Sequence, residues 1–499
     1  MLAKAVMVQG TGSSVGKSLL TAALCRIFTQ DGYRVLPFKS QNMSNNAAVT
    51  QDGGELSRAQ AEQARACRVE PSVLMNPVLL KPTTDIGAQV VVLGKAIGTM
   101  DAVAYDRFKL QIKQVILQSL KTLGDQADIL VIEGAGSPAE INLKDRDLAN
   151  MWIAEQAKAS VLLVGDIDKG GVFAQFVGTM ELLDGDERAL VKGFLINKFR
   201  GDASLLAPGI EWLERRCSRP VLGTVPYLHN VDVAEEDAVT QRHHRAADGN
   251  GCVRIEVVSL SRISNVSDFD ALRREPDVEL RFIDRPSEDA LPDCLILPGS
   301  KSTIADLQAI RERGMETYVR RCVEAGTEVV GICGGFQMLG QAIRDPEHVE
   351  ARVSEAEGLG WLPTVTVFHR DKLTAQARGI HLESRLPVEG YEIHCGRMYP
   401  APEAEPVVKI IERGGVPAEE LDGTQARNGQ VWGTHLHGLF DAAAFRAWWL
   451  HRFRQRKGLS ARSTDVAQDR HDPYDRLADA VRPHLDMPRL YQIVFGRGA

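Results

Sequence analysis

The chain opens on a pattern with obvious chemistry: Gly10-Thr11-Gly12-Ser13-Ser14-Val15-Gly16-Lys17-Ser18, directly after an apolar run. Glycines let backbone N–H groups close around phosphates, a lysine neutralises their charge, and a serine hydroxyl reaches a bound Mg²⁺. Gly12, Gly16, Lys17 and Ser18 have the types and order for these roles, so ATP is the expected ligand. The loop is longer by one residue than the common GxxxxGK[ST], since Thr11 holds the position where the first glycine usually stands. Mg²⁺ takes further oxygen ligands, usually carboxylates at strand ends. Glu133, where Asp128-Ile129-Leu130-Val131-Ile132 meets Gly134-Ala135-Gly136, is one candidate, and Asp52, before Gly53-Gly54, is another. The bland alternative for each is a solvated turn carboxylate or a helix cap. Asn197, ending a further strand, is a candidate reader of the adenine edge.

A second pattern, Gly331-Ile332-Cys333-Gly334-Gly335, follows the run Glu328-Val329-Val330. It has the form of a strand-to-helix elbow that presents a thiol nucleophile, with small neighbours and nearby backbone N–H groups able to hold an oxyanion. Leu297-Pro298-Gly299-Ser300 is the candidate second contributor of such N–H groups. A catalytic thiol needs a base. His435 and His437, in Gly433-Thr434-His435-Leu436-His437-Gly438, share one strand face because they are two positions apart. His394 is a third candidate, and His243-His244 reads as solvated. The ordinary alternative for Cys333 is a buried core cysteine. A thiol site suits splitting an amide and a phosphate site suits ATP. Together they imply an enzyme that frees ammonia at one site and uses it at the other.

These residues sit in a chain of 499 residues with a net charge of −7, long enough for two to four domains of about 150 residues. The acidic balance gives no footprint for nucleic acid, although a local basic pocket for a small anion does not show in a net charge. The eight cysteines include no CxxC pair, so neither a zinc ribbon nor a redox motif is indicated, and a reducing cytoplasm is the expected compartment. No signal peptide and no membrane span are expected.

The elements that must position the two sites read as repeated βα units. Strands are expected at 5–8, 34–38, 128–132, 161–164 and 193–196, with helices at 17–28 and 101–123, which argues for a parallel sheet covered by helices. The polar stretch 241–251 is the expected boundary. A second α/β series follows, with strands at 253–258, 295–297, 329–332 and 430–432 and an aromatic-rich helix at 441–457. The charged tail from about 458 reads as a helical extension or as partly disordered. The domains expected are 1–245, 251–445 and a C-terminal extension 446–499.

The chain resembles the cobyric acid synthase family of cobalamin synthesis. The resemblance runs to about residue 445 and rests on long strings: Val8-Gln9-Gly10-Thr11 through Ser18, Pro37-Phe38-Lys39-Ser40-Gln41-Asn42-Met43-Ser44, Gln51-Asp52-Gly53-Gly54-Glu55, Glu133 to Leu143, Gly165 to Phe173, Ile196 to Asp202, and Pro298 to Thr303. It implies an α/β fold: a P-loop, dethiobiotin-synthetase-like parallel-sheet domain followed by a class I-like glutamine amidotransferase α/β domain. It implies ATP- and glutamine-dependent amidation of the b, d, e and g carboxylates of adenosylcobyrinic acid a,c-diamide, giving adenosylcobyric acid. By the same resemblance Lys17 and Ser18 fall at the phosphates, Asp52 and Glu133 at the metal, Cys333 at the nucleophile and His437 at the base, His435 standing where relatives usually carry Tyr. Class I amidotransferases carry Glu two residues after that histidine, and here the position is Leu439, so the group that orients His437 is left open. Lys39, Gln41, Asn42 and Asn142 are candidate contacts to the corrinoid. The rival readings are cobyrinic acid a,c-diamide synthase and, from another class, a P-loop switch or scaffold with an inert amidotransferase-like domain. Neither a nucleic-acid nor a membrane partner is expected, and the sequence leaves the oligomeric state open.

Overall fold

Near-continuous apolar runs such as Ile129-Leu130-Val131-Ile132 and Val161-Leu162-Leu163-Val164 belong in a sheet buried on both faces, which is the habit of parallel strands covered by helices. In the computed structural model, which describes residues 3–83, 87–228, 251–287, 289–351, 353–459 and 472–496, they form such sheets. Contacts divide the chain into two units. The first holds residues 1–44, 55–238 and 469–499, and the second holds 45–54 and 239–468. The boundary expected at 241–251 and the pair His243-His244 fall largely or wholly outside the described residues.

The first unit is built on six strands: β1 (Lys4–Gly10), β2 (Val35–Phe38), β3 (Ile129–Glu133), β4 (Ser160–Asp166), β5 (Val191–Phe199) and β6 (Val221–Pro226). Their spatial order is β6-β5-β4-β1-β3-β2, and every neighbouring pair is parallel. In β1, Val6 and Val8 point to the face covered by helix α1 (Lys17–Gln30), while Ala5 and Met7 point to the face covered by Ile112, Ile116 and Leu120 of a long helix, Ala102–Gly124. Alternation along one strand thus feeds two cores. Parallel register brings Val8 opposite Glu133 and Gly10 opposite Val164, so the ends of β1, β3 and β4 meet on one edge. A second helix, α2 (Arg58–Ala66), packs on α1.

A four-stranded sheet of Gln41–Met43, Val78–Pro82, Gly87–Val92 and Lys95–Asp101 completes the front of this unit. It has no counterpart in the strands read from sequence, because its strands are short or polar and Lys95–Met100 is almost wholly exposed. The expected extension 446–499 divides. Helix Ala443–Arg456 stays with the second unit, and helices Pro473–Val481 and Met487–Phe495 return to the first, laying Tyr474, Leu477, Val481 and Leu490 on the α1 side of the sheet. Buried Arg26 of α1 is paired there by Asp472 and Asp475.

The second unit is built on β7 (Val253–Val258), β8 (Val278–Ile283), β9 (Cys294–Leu297), β10 (Glu328–Ile332), β11 (Thr424–Ala426) and β12 (Val431–Thr434), in the order β8-β7-β9-β10-β12-β11. All pairs are parallel except β11 with β12. A further sheet centres on two long antiparallel strands, Thr364–His381 and Pro387–Pro400, which the sequence reading lacks. Trp432 and Trp449 both donate their indole N–H to Glu328 Oε1, at 2.8 and 2.7 Å, which ties the aromatic helix to the base of β10.

Candidate functional site

At the end of β1 the chain turns through 11–16 into α1. Gly16 takes φ 95°, a conformation that favours glycine, and a Cβ there would run into the amide of Asn197. The Lys17 ammonium lies back over the loop, donating to Gly12 O at 2.9 Å and to Gly136 O at 3.1 Å. Gly12 has open space where a side chain would start, as a phosphate cradle requires. The loop is braced from β5: Asn197 Nδ2 donates to Val15 O at 2.8 Å, and Lys198, bonded to Ser14 O at 2.6 Å, pairs with Asp166 at 3.1 Å. Asn197 is 3% exposed. Its amide N–H group is thus tied to the loop, a bracing role additional to the adenine contact expected of it.

Glu133 is the buried acid of this site. Oε1 accepts from Ser18 Oγ at 2.8 Å and from Lys39 Nζ at 3.0 Å, while Oε2 accepts from Gln63 of α2. Burial opposes its ionisation, but the Lys39 charge and these hydrogen bonds outweigh it and hold the carboxyl below its usual range. Ser18 and Glu133, 115 residues apart, are therefore brought together as a hydroxyl beside a carboxylate that its surroundings favour as the anion. That fits Mg²⁺, which commonly takes one or two carboxylates and completes its shell with water and substrate phosphates. Asp52 is described in the second unit, exposed on the turn 50–54, with its carboxylate accepting from the Thr50 hydroxyl. Of the candidate corrinoid contacts, Lys39 is occupied by Glu133, Asn42 is buried and donates to Ser57 at 2.6 Å, and Gln41 accepts from Tyr105 at 2.5 Å on a cavity wall. Asn142 is exposed.

The thiol site stands in the second unit. Cys333, between β10 and helix Gly334–Leu339, takes φ 48° and ψ −105°. A left-handed backbone at a non-glycine residue is strained by about 1–3 kcal/mol, and such strain is the mark of a nucleophile elbow. The glycines beside it are sterically required. A Cβ at Gly334 would lie 2.7 Å from Ser300 N, and one at Gly335 would strike the Leu297 carbonyl. The turn 297–300 after β9 therefore approaches the elbow closely enough for N–H groups from both to line one oxyanion.

His437 faces the thiol. Its Nδ1 donates to Asp268 Oδ2 at 2.7 Å, and Asp268 Oδ1 accepts from Gly438 N at 2.9 Å. Histidine and aspartate are 1% and 2% exposed. Burial disfavours the imidazolium, yet Asp268 and the Cys333 thiolate raise His437 to about 10. Burial likewise disfavours the thiolate, and His437 outweighs it, bringing Cys333 below its ordinary value. The two shifts run in the sense that favours a thiolate–imidazolium pair, with the Asp268 carboxylate beside it. Asp268 thus fills the role left open by Leu439, which is buried in the core. It lies on a short helical turn, Val266–Phe269, and no spacing rule links it to a histidine so far along the chain.

The other two histidines are paired elsewhere. His435 Nδ1 donates to Asp422 at 2.9 Å. His394 stacks on His435 with centroids 4.1 Å apart and donates to Gly396 O at 2.7 Å, and burial lowers its proton affinity. Segment 45–54 also reaches this neighbourhood: Ala47 N donates to Asn265 Oδ1, whose amide nitrogen lies 3.3 Å from the His437 ring.

Two family models match the chain: a CobQ/CobB/MinD/ParA nucleotide binding domain over residues 6–240, and a CobB/CobQ-like glutamine amidotransferase domain over residues 254–445. Cobyric acid synthase of Dehalococcoides mccartyi (strain CBDB1) is 48% identical over 501 residues, covering 99% of each chain. Cobyric acid synthase of Sorangium cellulosum (strain So ce56) is 50% identical over 515 residues, again covering 99% of each. That of Streptococcus sanguinis (strain SK36) is 48% identical over 497 residues, with the same coverage.

Proposed function

Since the chain belongs to the cobyric acid synthase family, we propose that it amidates the b, d, e and g carboxylates of adenosylcobyrinic acid a,c-diamide, using ATP and the amide nitrogen of glutamine. The observation that carries this reading is the Cys333–His437–Asp268 arrangement, in a chain whose other unit holds Lys17 and Glu133 at a phosphate loop.

A carboxylate resists ammonia because it is anionic and its oxygen leaves poorly. Transfer of the γ-phosphoryl group of ATP to a carboxylate oxygen gives an acyl phosphate and ADP. Lys17 balances charge on the phosphoryl oxygens. Ser18 and Glu133 would hold Mg²⁺, which when bound adds Lewis-acid stabilisation of the same oxygens. Ammonia then attacks the acyl carbon and phosphate departs.

Ammonium is the main form near neutral pH, so nitrogen is best released where it is needed. Cys333 Sγ attacks the glutamine amide carbon, the N–H groups near Gly334 and Ser300 hold the oxyanion, and the His437 imidazolium gives its proton to the departing ammonia. Neutral His437 then takes a proton from water, which cleaves the thioester and releases glutamate. Asp268 fixes the ring so that Nε2 is the working nitrogen.

The test is a double dissociation. Cys333→Ala is expected to abolish amidation from glutamine and to keep amidation from concentrated ammonia. Lys17→Ala is expected to stop amidation from both. Ammonia-driven amidation that survives Lys17→Ala, or glutamine-driven amidation that survives Cys333→Ala, overturns the assignment.

A further inference from the structure

Cys333 has a second histidine–carboxylate pair beside it, one that the mechanism above does not use. Parallel register sets Ile332 of β10 opposite Thr434 of β12, and Cys333 N donates to Thr434 O at 2.8 Å. His435 therefore leaves β12 directly against the elbow. Its ring meets the Phe336 ring of helix Gly334–Leu339 edge-on, with centroids 5.1 Å apart. His435 is buried, and its Nδ1 donates to Asp422 Oδ1 at 2.9 Å. Asp422 also accepts from the Thr434 hydroxyl and from His435 N, so ring and carboxylate are fixed to each other at two points. The other ring nitrogen, Nε2, is buried and has no hydrogen-bond partner among the described residues. A buried nitrogen left in that state at a reaction centre calls for a role.

The neighbours decide which ring carries charge. His394 stacks on His435, with 4.1 Å between centroids and 18° between planes. Two imidazolium ions at that distance repel, so one ring stays neutral. Asp422 bonds His435 directly. The acid beside His394 is Glu392, 3.7 Å away and already paired with Arg413 at 2.7 Å. Arg413 in turn pairs with Glu420. The carboxylate free of other cations thus belongs to His435. Burial disfavours its imidazolium, yet Asp422 and the anionic neighbours outweigh this and raise its proton affinity. Burial and the His435 charge lower that of His394. The thiol side contributes Cys333 and, through it, the His437–Asp268 pair.

We propose that His435, held by Asp422, is a positioning residue of the thiol reaction, a standing cation beside Cys333 that keeps the sulfur anionic and leaves the His437 proton free for the departing ammonia. This assignment rests on the glutamine-splitting reading of the previous section and adds a residue to it. The two histidine–aspartate pairs then have separate tasks. His437 gives and takes a proton, so its charge comes and goes. His435 keeps its proton throughout, and the anion is favoured again when the thioester breaks and sulfur departs. Both histidines act on Cys333 in the same sense, His437 more strongly.

The experiment uses the full chain. Iodoacetamide, a small neutral amide, is the probe, and its alkylation of the Cys333 peptide is read by mass spectrometry across pH. A nearby cation makes the thiol lose its proton earlier, so removing the cation moves the acid limb to higher pH. His435→Gln is expected to move that limb up by about one pH unit, which slows alkylation below the limb about ten-fold. Asp422→Asn is expected to act in the same direction. The double variant is expected to go no further than His435→Gln alone, because the two side chains act as one unit. The acid limb of kcat/KM for glutamine is expected to follow the alkylation limb in each variant. Lost packing alone would lower the unfolding temperature and leave both limbs in place. An acid limb that keeps its wild-type position in either variant, read on folded protein, overturns the role of His435 while glutamine splitting stands. A wild type that releases no glutamate from glutamine, even with ATP and the diamide present, overturns the functional reading and this role with it.

Discussion

Asp268 accepts a hydrogen bond from His437 Nδ1 at 2.7 Å, across 169 residues of sequence and with both side chains buried. The carboxylate selects the tautomer, holds the ring plane and stabilises the imidazolium. Asp268→Asn preserves the shape and removes the charge. Glutamine hydrolysis is expected to fall by about 10²–10⁴-fold, while amidation from ammonia stays near the wild-type rate. A glutaminase rate within two-fold of wild type would show that His437 needs no such partner.

The same pair sets a pH profile. As pH rises, Cys333 gains its thiolate earlier than an ordinary thiol does, because the His437 charge favours the anion. His437 loses its proton at about 10. The active ion pair lies between these two events, so kcat/KM for glutamine is expected to form a bell with a far alkaline limb. Asp268→Asn removes the main charge that raises His437, and the alkaline limb is expected to move to lower pH. A limb that stays in place would detach Asp268 from the titration.

Glu133 makes a parallel case in the first unit. Its charge is balanced by Lys39 and shared with Ser18 Oγ at 2.8 Å. Glu133→Gln keeps the volume and removes the anion with which buried Lys39 pairs, a change expected to lower stability by about 3–5 kcal/mol. Amidation is expected to drop below detection with either nitrogen source, and glutamine hydrolysis measured alone to survive. Retained ammonia-driven amidation at ordinary Mg²⁺ would remove Glu133 from the metal reading.

How much of this was legible in the sequence follows from how local each feature is. The phosphate loop and the Cys333 elbow each occupy a short string in which glycine, nucleophile or lysine, and an apolar strand are contiguous, so their shape is written in order. Asp268 lies in Asn265-Val266-Ser267-Asp268-Phe269, and nothing local distinguishes it from a capping acid. Only the parallel stacking of β7, β9, β10 and β12 brings its turn to the histidine. The long strand Thr364–His381 has no continuous signature in the sequence because its alternation is broken at His369-Arg370-Asp371-Lys372, where pairing with the partner strand slips between Phe368 and Leu373. The Lys39–Glu133 pair was hidden for a related reason. Both residues stood in recognisable strings, but their contact depends on β2 and β3 lying side by side.

The elbow offers a steric test that leaves the reacting groups untouched. Gly335 packs so closely on the turn after β9 that an alanine methyl would meet the Leu297 carbonyl and lie 2.8 Å from Pro298 O, both rigid backbone atoms. Relief requires the elbow or the turn to move, and the oxyanion N–H groups move with it. Gly335→Ala is expected to cost about 1–3 kcal/mol of stability and to abolish glutamine hydrolysis, with ammonia-dependent amidation retained. Gly178 is the control. It lies inside helix Val172–Leu182 with nothing within 4 Å of an added methyl, so Gly178→Ala is expected to raise stability by about 0.5–1 kcal/mol and leave both activities unchanged. Thermal unfolding and the two nitrogen-source assays on the pair of variants read the contrast directly. Equal behaviour of the two would mean that close packing at Gly335 does not govern the elbow.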